Sequence, residues 1–126
     1  MRFVLDTTFV IDHLRDDPSA VARFAQLFEL GEEGYVTDVI AAEAWTGAPS
    51  DDDRALQAML QAVEYVTVSP DGARVAGRLR ARARARGKHV SLPDALIAAM
   101  AIALDATVLT RNVRDFSLTP VRVETY

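Results

Sequence analysis

Short apolar runs alternate with longer segments of helical periodicity along almost the whole chain. The apolar runs are residues 2–5, 35–37, 65–68, 107–109 and 121–123. A strand followed by a helix and then another strand is the unit that builds parallel sheets covered by helices. The alternation therefore predicts an α/β/α sandwich with a mostly parallel sheet of four or five strands.

Six helices are predicted between these runs from apolar spacing and from helix-start residues. They cover roughly residues 8–15, 18–30, 39–46, 51–63, 70–86 and 92–104. Proline suits the first turn of a helix, so Pro18 and Pro70 mark two of the starts. Asp38 is expected to cap the third helix, and Ser91 with Asp94 has the Ser-x-x-Asp form of a capping box.

The size and composition of the chain limit its class. It has 126 residues, half of them hydrophobic, and no cysteine, so one domain over residues 1–126 is predicted. Lack of cysteine excludes disulfides and thiolate chemistry and is typical of a reducing compartment. No secretory segment is visible, and the longest apolar run, residues 95–104, is too short to span a membrane. We expect a cytoplasmic protein without a membrane anchor.

The formal net charge of −4 hides a division between the two halves of the chain. Residues 1–71 carry 14 acids and 4 bases, whereas residues 72–126 carry 4 acids and 10 bases. Such an asymmetry indicates an anionic partner for the basic part.

Four acids are candidates for chemistry because of where they stand. Asp6 follows the first strand directly, Asp94 begins a wholly apolar helix, Asp115 lies shortly after the strand at 107–109, and Glu43 lies in a helix among alanines. Each has an ordinary alternative: a helix cap for Asp6 and Asp94, a turn residue for Asp115, and a surface glutamate for Glu43.

The order of strands and acids predicts that these groups meet. In parallel sheets, ligands bind beyond the carboxyl ends of the strands. If the strands at 2–5 and 107–109 are neighbours, Asp6 and the segment from Thr110 to Asp115 face one crevice. Carboxylates that face one crevice repel one another unless a cation lies between them. Only oxygen ligands are available, which favours Mg²⁺ or Mn²⁺ over zinc.

Four segments carry a resemblance to a known family. They are Val4-Leu5-Asp6-Thr7-Thr8, residues 37–44 with Glu43, residues 92–99 beginning Leu92-Pro93-Asp94, and residues 110–116. In this order, and over almost the whole length, they resemble the motifs of PIN domains. More closely, the chain is similar to VapC-type toxins of type II toxin–antitoxin pairs.

The resemblance implies a PIN-like fold and the cleavage of RNA with Mg²⁺ or Mn²⁺, by attack of a metal-activated water on phosphorus. The implied catalytic and metal-binding residues are Asp6, Glu43, Asp94 and Asp115, with Thr7, Thr110 and Asn112 in support. Asn112 stands where some relatives carry another acid. VapC-type proteins usually form homodimers and are silenced by a VapB antitoxin that covers the acidic pocket.

A basic stripe is expected to bring the RNA to this acidic site. Arg78, Arg82 and Arg86 share one face of a predicted helix, and Lys88 follows it, with no acid between residues 72 and 93. Contacts of these side chains with phosphates would give affinity that depends on salt but not on sequence. The alternatives are a solvated helix surface, or bases that offset the charge of the acidic first half.

Three other functions are alternatives to a ribonuclease toxin. A phosphoacceptor receiver domain needs a lysine after a late strand, but Lys88 is the only lysine and follows no strand. A phosphatase with Asp6 as nucleophile needs a second acid two residues later, where Thr8 stands. A PIN nuclease of RNA maturation, without a toxin role, is the nearest alternative.

Overall fold

The computed structural model describes all 126 residues, in which five strands alternate with six helices. The strands are β1 (Arg2–Leu5), β2 (Glu33–Thr37), β3 (Glu64–Val66), β4 (Thr107–Leu109) and β5 (Arg122–Glu124). The helices are α1 (Thr7–Leu14), α2 (Pro18–Glu29), α3 (Asp38–Gly47), α4 (Asp53–Ala62), α5 (Pro70–Ala85) and α6 (Leu92–Leu104). Two 3-10 helices cover Ser50–Asp52 and Val113–Phe116.

The five strands form one sheet in the order β3-β2-β1-β4-β5, and every neighbouring pair is parallel. The predicted α/β architecture is therefore confirmed, with five strands. In the register of β1 and β4, Leu5 lies opposite Leu109, and the Asp6 backbone N–H donates to the Leu109 carbonyl at 3.0 Å. Since these two central strands are neighbours, the residues that follow them emerge side by side at what we call the carboxyl edge of the sheet.

The hydrophobic core holds the sheet against its helices in two parts. The larger part is a cluster of 20 buried residues that includes β1 from Phe3 onward, β4, and side chains from all six helices. The smaller part lies around the contact of α5 with α6 and consists of four alanines and Val90. Small side chains allow two helices to approach closely. None of the helices is both long and apolar enough to cross a membrane.

The helix starts follow the capping chemistry of the sequence, with one correction. Ser91 accepts from the Asp94 N–H at 3.2 Å, as the Ser-x-x-Asp pattern predicts. The expectation that Asp38 caps α3 is wrong, because Asp38 is already the first helical residue. Thr37 takes that place, and its hydroxyl accepts from the Ile40 N–H at 3.3 Å. Thr37 ends β2 with an extended backbone, the conformation that an N-cap requires.

A buried acid in α1 ties the end of the chain to the segment that follows β4. Asp12 is only 6% exposed. Its carboxylate accepts from Arg111 Nη1 at 2.6 Å and from the Tyr126 hydroxyl at 2.5 Å. Burial, together with the bond to Asp12, raises the pKa of Tyr126, so its hydroxyl stays protonated and keeps donating. The Tyr126 ring also packs edge-on against Phe9, with 4.9 Å between the ring centroids.

Replacing Asp12 by alanine should lower the free energy of unfolding by about 2 kcal/mol, because it leaves the Arg111 guanidinium and the half-buried Tyr126 hydroxyl without their charged acceptor. Urea denaturation followed by circular dichroism measures this loss. Asp51→Ala is the matched control, since Asp51 is exposed and is expected to change stability by less than about 0.5 kcal/mol. Equal stabilities of the two variants would contradict the structural role of Asp12.

Candidate metal centre

Asp6 is the most enclosed acid at the carboxyl edge. It follows β1 and precedes α1 in the N-cap position, but its side chain makes no capping hydrogen bond to the helix. Instead, Oδ2 accepts from the Thr110 hydroxyl at 2.6 Å and from the Thr8 hydroxyl at 3.1 Å. Burial raises the pKa of Asp6, and these hydrogen bonds offset part of that rise. The simple helix-cap interpretation of Asp6 therefore does not describe its side chain.

Thr110 orients Asp6 from the neighbouring strand. It follows β4 directly and is fully buried. Its hydroxyl accepts from the Asn112 N–H at 2.9 Å, which leaves its proton for Asp6. Thr8 lies within 3.2 Å of the Thr110 hydroxyl and accepts from the Arg111 N–H. The predicted proximity of the residues after β1 and β4 is thus seen as direct hydrogen bonds.

Glu43 is held by the other threonine of the Asp-Thr-Thr segment. It lies in α3, which begins at the carboxyl edge after β2, and is half-buried. The Thr7 hydroxyl donates to Glu43 Oε1 at 2.7 Å. Ala41 and Ala44 are buried against the core. Glu43 thus faces α1, and its second carboxylate oxygen has no protein partner.

Asp94 combines a structural position with an uncompensated charge. Its backbone N–H is used by the cap of α6, but its carboxylate has no donor other than the nearby Ser91 hydroxyl. Partial burial raises the pKa of Asp94 to about 6, and the negative charges of Asp115, Asp6 and Glu43 add to the rise. The electrostatic influence of all three other acids means that the four candidates lie near one another.

Asp115 and Asn112 form the open side of the group. Asp115 lies in the 3-10 helix Val113–Phe116, which the sequence pattern did not predict, and Asn112 is the N-cap of that helix. Both residues are exposed. The Asp115 N–H donates to the Asn112 carbonyl at 3.0 Å, and the Asn112 side chain makes no hydrogen bond. The charge of Asp115 acts on Asp6 as well as on Asp94.

The four acids have no cationic partner in the protein. Six ion pairs hold other acids of the chain, and none of them involves Asp6, Glu43, Asp94 or Asp115. No three His, Asp or Glu side chains lie close enough together to form a ready metal site. The charges of Asp115, Asp6 and Glu43 all act on Asp94, but the four carboxylates do not converge into a complete set of ligands in this structure.

These observations fit a hard divalent cation. Oxygen atoms are the only ligands at the edge, and several of them are free of protein donors. A divalent charge would remove the cost that burial and mutual repulsion impose on Asp6 and Asp94. Hydroxyl groups that hold the carboxylates in place, as Thr7 and Thr110 do, are the usual support of metal ligands.

The basic residues predicted to bind RNA lie on α5 and just after it. Arg78, Arg82, Arg86 and Lys88 are all exposed, but only Arg82 and Arg86 line a common cavity. Arg86 is the C-cap of α5, and Lys88 follows it in the turn. Arg80 is turned inward, with its Nε donating to the Val90 carbonyl at 3.1 Å.

Sequence reasoning missed two residues that shape this edge. Thr8 bonds Asp6 with its side chain, and Arg111 connects the edge to Asp12. The repeated hydroxyl in Asp-Thr-Thr was the available signal for Thr8. No local pattern signals the Arg111 contact, because its partner lies 99 positions earlier in the chain.

Comparison with known proteins identifies the family. The PIN domain model matches residues 3–120. Ribonuclease VapC19 of Mycobacterium tuberculosis is 39% identical over 117 residues, which cover 93% of this chain and 94% of that protein.

Solved structures of similar fold include toxin–antitoxin proteins. A DNA-bound VapBC from Salmonella typhimurium matches with a TM-score of 0.86 and 23% identity, covering 99% of this chain and 98% of that one. VapBC-5 from Mycobacterium tuberculosis, a member of the VapBC family of toxin–antitoxin systems, matches with a TM-score of 0.65 and 29% identity, covering 98% and 96%. The family model and the sequence relative agree with this fold: the chain belongs to the PIN-domain family, as a VapC-type member.

Proposed function

We propose that this protein is a divalent-metal-dependent endoribonuclease that acts as the toxin of a VapBC-type pair. The observation that carries the proposal is the group of four acids at the carboxyl edge, none of which has a cationic partner. The sequence relative named as a ribonuclease supports the reaction. RNA is the substrate, and the cytoplasm is where we expect the protein to meet it.

In this proposal, Asp6 and Asp94 are the main ligands of the cation, and Glu43 and Asp115 complete the acidic site. Mg²⁺ or Mn²⁺ suits a site of oxygen ligands alone. When bound, the ion would neutralise charge on the phosphate and make a water a better nucleophile.

Three side chains support the acids without reacting themselves. Thr7 and Thr110 donate their protons to carboxylates, so these hydroxyls position Glu43 and Asp6 rather than attack phosphorus. Asn112 offers a free amide at the open side. Direct attack by water therefore fits the site better than a covalent intermediate, which would need a hydroxyl paired with a base.

The proposed partners are a VapB-type antitoxin and a second copy of this chain. The solved VapBC complexes of the same fold support this assignment. Growth arrest on expression, relieved by co-expression of a neighbouring small gene, separates a toxin from a PIN nuclease of RNA maturation. Expression without any effect on growth would favour the maturation enzyme.

Asp6→Asn and Asp94→Asn should each lower the rate of RNA cleavage on the order of 100-fold, because each removes a charged ligand worth several kcal/mol at the transition state. Single-turnover cleavage of a labelled RNA with Mg²⁺ or Mn²⁺ measures the rates. Asp51→Asn, an exposed acid outside the edge, is the control and should cleave at the wild-type rate. Full activity in both edge variants would rule out the proposed site.

Thr110→Val should lower the cleavage rate roughly 10- to 100-fold, the usual effect of removing a group that orients a metal ligand. Because the hydrogen bond from Thr110 lowers the pKa of Asp6, the acid limb of the pH–rate profile should also move to higher pH in this variant. Thr110→Ser keeps the hydroxyl and should restore both the rate and the profile. A profile that does not move in Thr110→Val would mean that Thr110 serves packing alone.

Asp94→Asn should stabilise the metal-free protein at pH 7.5, although it lowers the cleavage rate. The pKa of Asp94 rises from 3.8 to about 6 in the folded state, so ionised Asp94 destabilises the fold above that pH and has no such effect below pH 3.8. Thermal unfolding in EDTA should therefore show a higher Tm for the variant at pH 7.5, and the difference should shrink as the pH falls toward 4. A variant that is less stable than wild type at pH 7.5 would contradict this electrostatic account.

A further inference from the structure

A second concave surface lies beside the acidic edge, between the C-terminal half of α5 and the segment after the 3-10 helix. It is a cavity of about 290 Å³. Leu79 and Ala83 are buried side chains on its α5 wall, where Arg82 and Arg86 also lie, and residues 117–120 form the opposite wall. This volume is just below the roughly 300–1,000 Å³ of pockets that enclose a drug-sized ligand. The cavity is therefore large enough for one phosphate group and small for a whole cofactor.

The charge of this cavity is positive and is not used by the protein. The side chains of Arg82 and Arg86 form no ion pair and donate no hydrogen bond, whereas Arg2, Arg23, Arg74, Arg111 and Arg122 all pair with acids. No acid lines the cavity. These two guanidinium groups therefore form no ion pair with the acidic half of the chain, and their donors are free for an anion from outside the protein. Each offers a planar set of donors that matches a phosphate.

The opposite wall contributes shape rather than donors. The Ser117 hydroxyl donates to the Arg114 carbonyl at 2.8 Å, and the Thr119 hydroxyl donates to the Phe116 carbonyl at 2.7 Å. Both hydroxyl protons are therefore already used in hydrogen bonds to backbone carbonyls. The two arginines are therefore the side chains of this cavity that have free donors for an anion, which makes the site testable by substitution.

Both walls of the cavity are connected to segments that carry the proposed metal ligands. Ser117 follows Asp115 by two positions, so one wall continues directly from the acidic edge. On the other wall, Arg80 bonds Val90, which joins the end of α5 to the start of α6 near Asp94. A strand of RNA that reaches the acids can therefore also pass the cavity, where another phosphate of its backbone would meet Arg82 and Arg86.

We propose that the cavity between Arg82, Arg86 and residues 117–120 is a subsite for a backbone phosphate of the RNA other than the phosphate that is cleaved. The identity of the ligand rests on the proposed function, because RNA is the anion that this function brings to the surface. Arg84 lies on the same helix, is exposed, and does not line the cavity. Two positions along a helix turn a side chain to another face, so Arg84 provides an internal control.

The test compares two double variants that remove the same charge. Arg82→Ala/Arg86→Ala removes both guanidinium groups from the cavity, and Arg54→Ala/Arg84→Ala removes two exposed bases outside it. Binding of a fluorescein-labelled single-stranded RNA is measured in EDTA, where no cleavage occurs, over a range of salt. The cavity variant should bind about 10-fold more weakly, with a salt slope shallower by about 0.7 for each phosphate that the protein no longer neutralises, and the control should bind less than about 3-fold more weakly. Equal reductions in affinity for the two variants, or no RNA binding by wild type, would overturn the proposal.

Two further measurements separate the possible failures. With Mg²⁺ or Mn²⁺ present, the cavity variant should raise KM for RNA cleavage while kcat stays within about 2-fold of wild type. If wild type does not cleave but the two variants still differ in binding, the proposed function fails and the phosphate subsite stands. If wild type cleaves RNA and the two variants bind it with equal affinity, the phosphate subsite fails and the proposed function stands. Displacement of the RNA by inorganic phosphate at micromolar concentration would also overturn the proposal, since the cavity would then hold a free anion.

Discussion

The pairing of β1 with β4 is the constraint on which the candidate site depends. Leu5 and Leu109 end their strands in register, and the hydrogen bond from the Asp6 N–H to the Leu109 carbonyl continues the pairing by one residue. This places the Thr110 hydroxyl 2.6 Å from the Asp6 carboxylate, although the two residues are 104 positions apart. A shift of register by one residue would turn Thr110 to the other face of the sheet and leave the buried Asp6 without its shortest hydrogen bond.

The buried acids at the carboxyl edge lower the stability of the fold. Burial and like charges raise the pKa of Asp6 and Asp94, and no arginine or lysine relieves them. The chain has bases available, since it pairs arginines with six other acids in its ion pairs. A group of acids without a cationic partner in the protein is typical of a functional site, where a ligand supplies the missing positive charge.

Acidic and basic surfaces lie next to each other in this fold without cancelling. The alanine-lined contact between α5 and α6 brings the two helices close, while Arg82 and Arg86 remain on the exposed surface of α5. Threonine hydroxyls donate to Asp6 and Glu43. No group of the protein accepts from the side chains of Arg82 and Arg86. A polyanion that needs a cation at one phosphate and direct contacts at the next would match both surfaces, which is why the cavity and the metal centre are best understood together.

The sequence by itself determined the strand–helix alternation, the parallel sheet and the start of α6 at Ser91, because these depend on local periodicity and capping. It also determined that Asp6 directly follows a strand and that Asp94 lies in the first turn of a helix. It misplaced the cap of α3, where Thr37 and Asp38 are both good caps and only the path of β2 decides between them. Only the tertiary structure decided that Thr8 and Thr110 share Asp6, that Asp12 holds Arg111 and Tyr126, and that Arg82 and Arg86 face a cavity while Arg78 does not. Those contacts join residues far apart in the chain, and their geometry follows from strand order and helix packing, which no local pattern encodes.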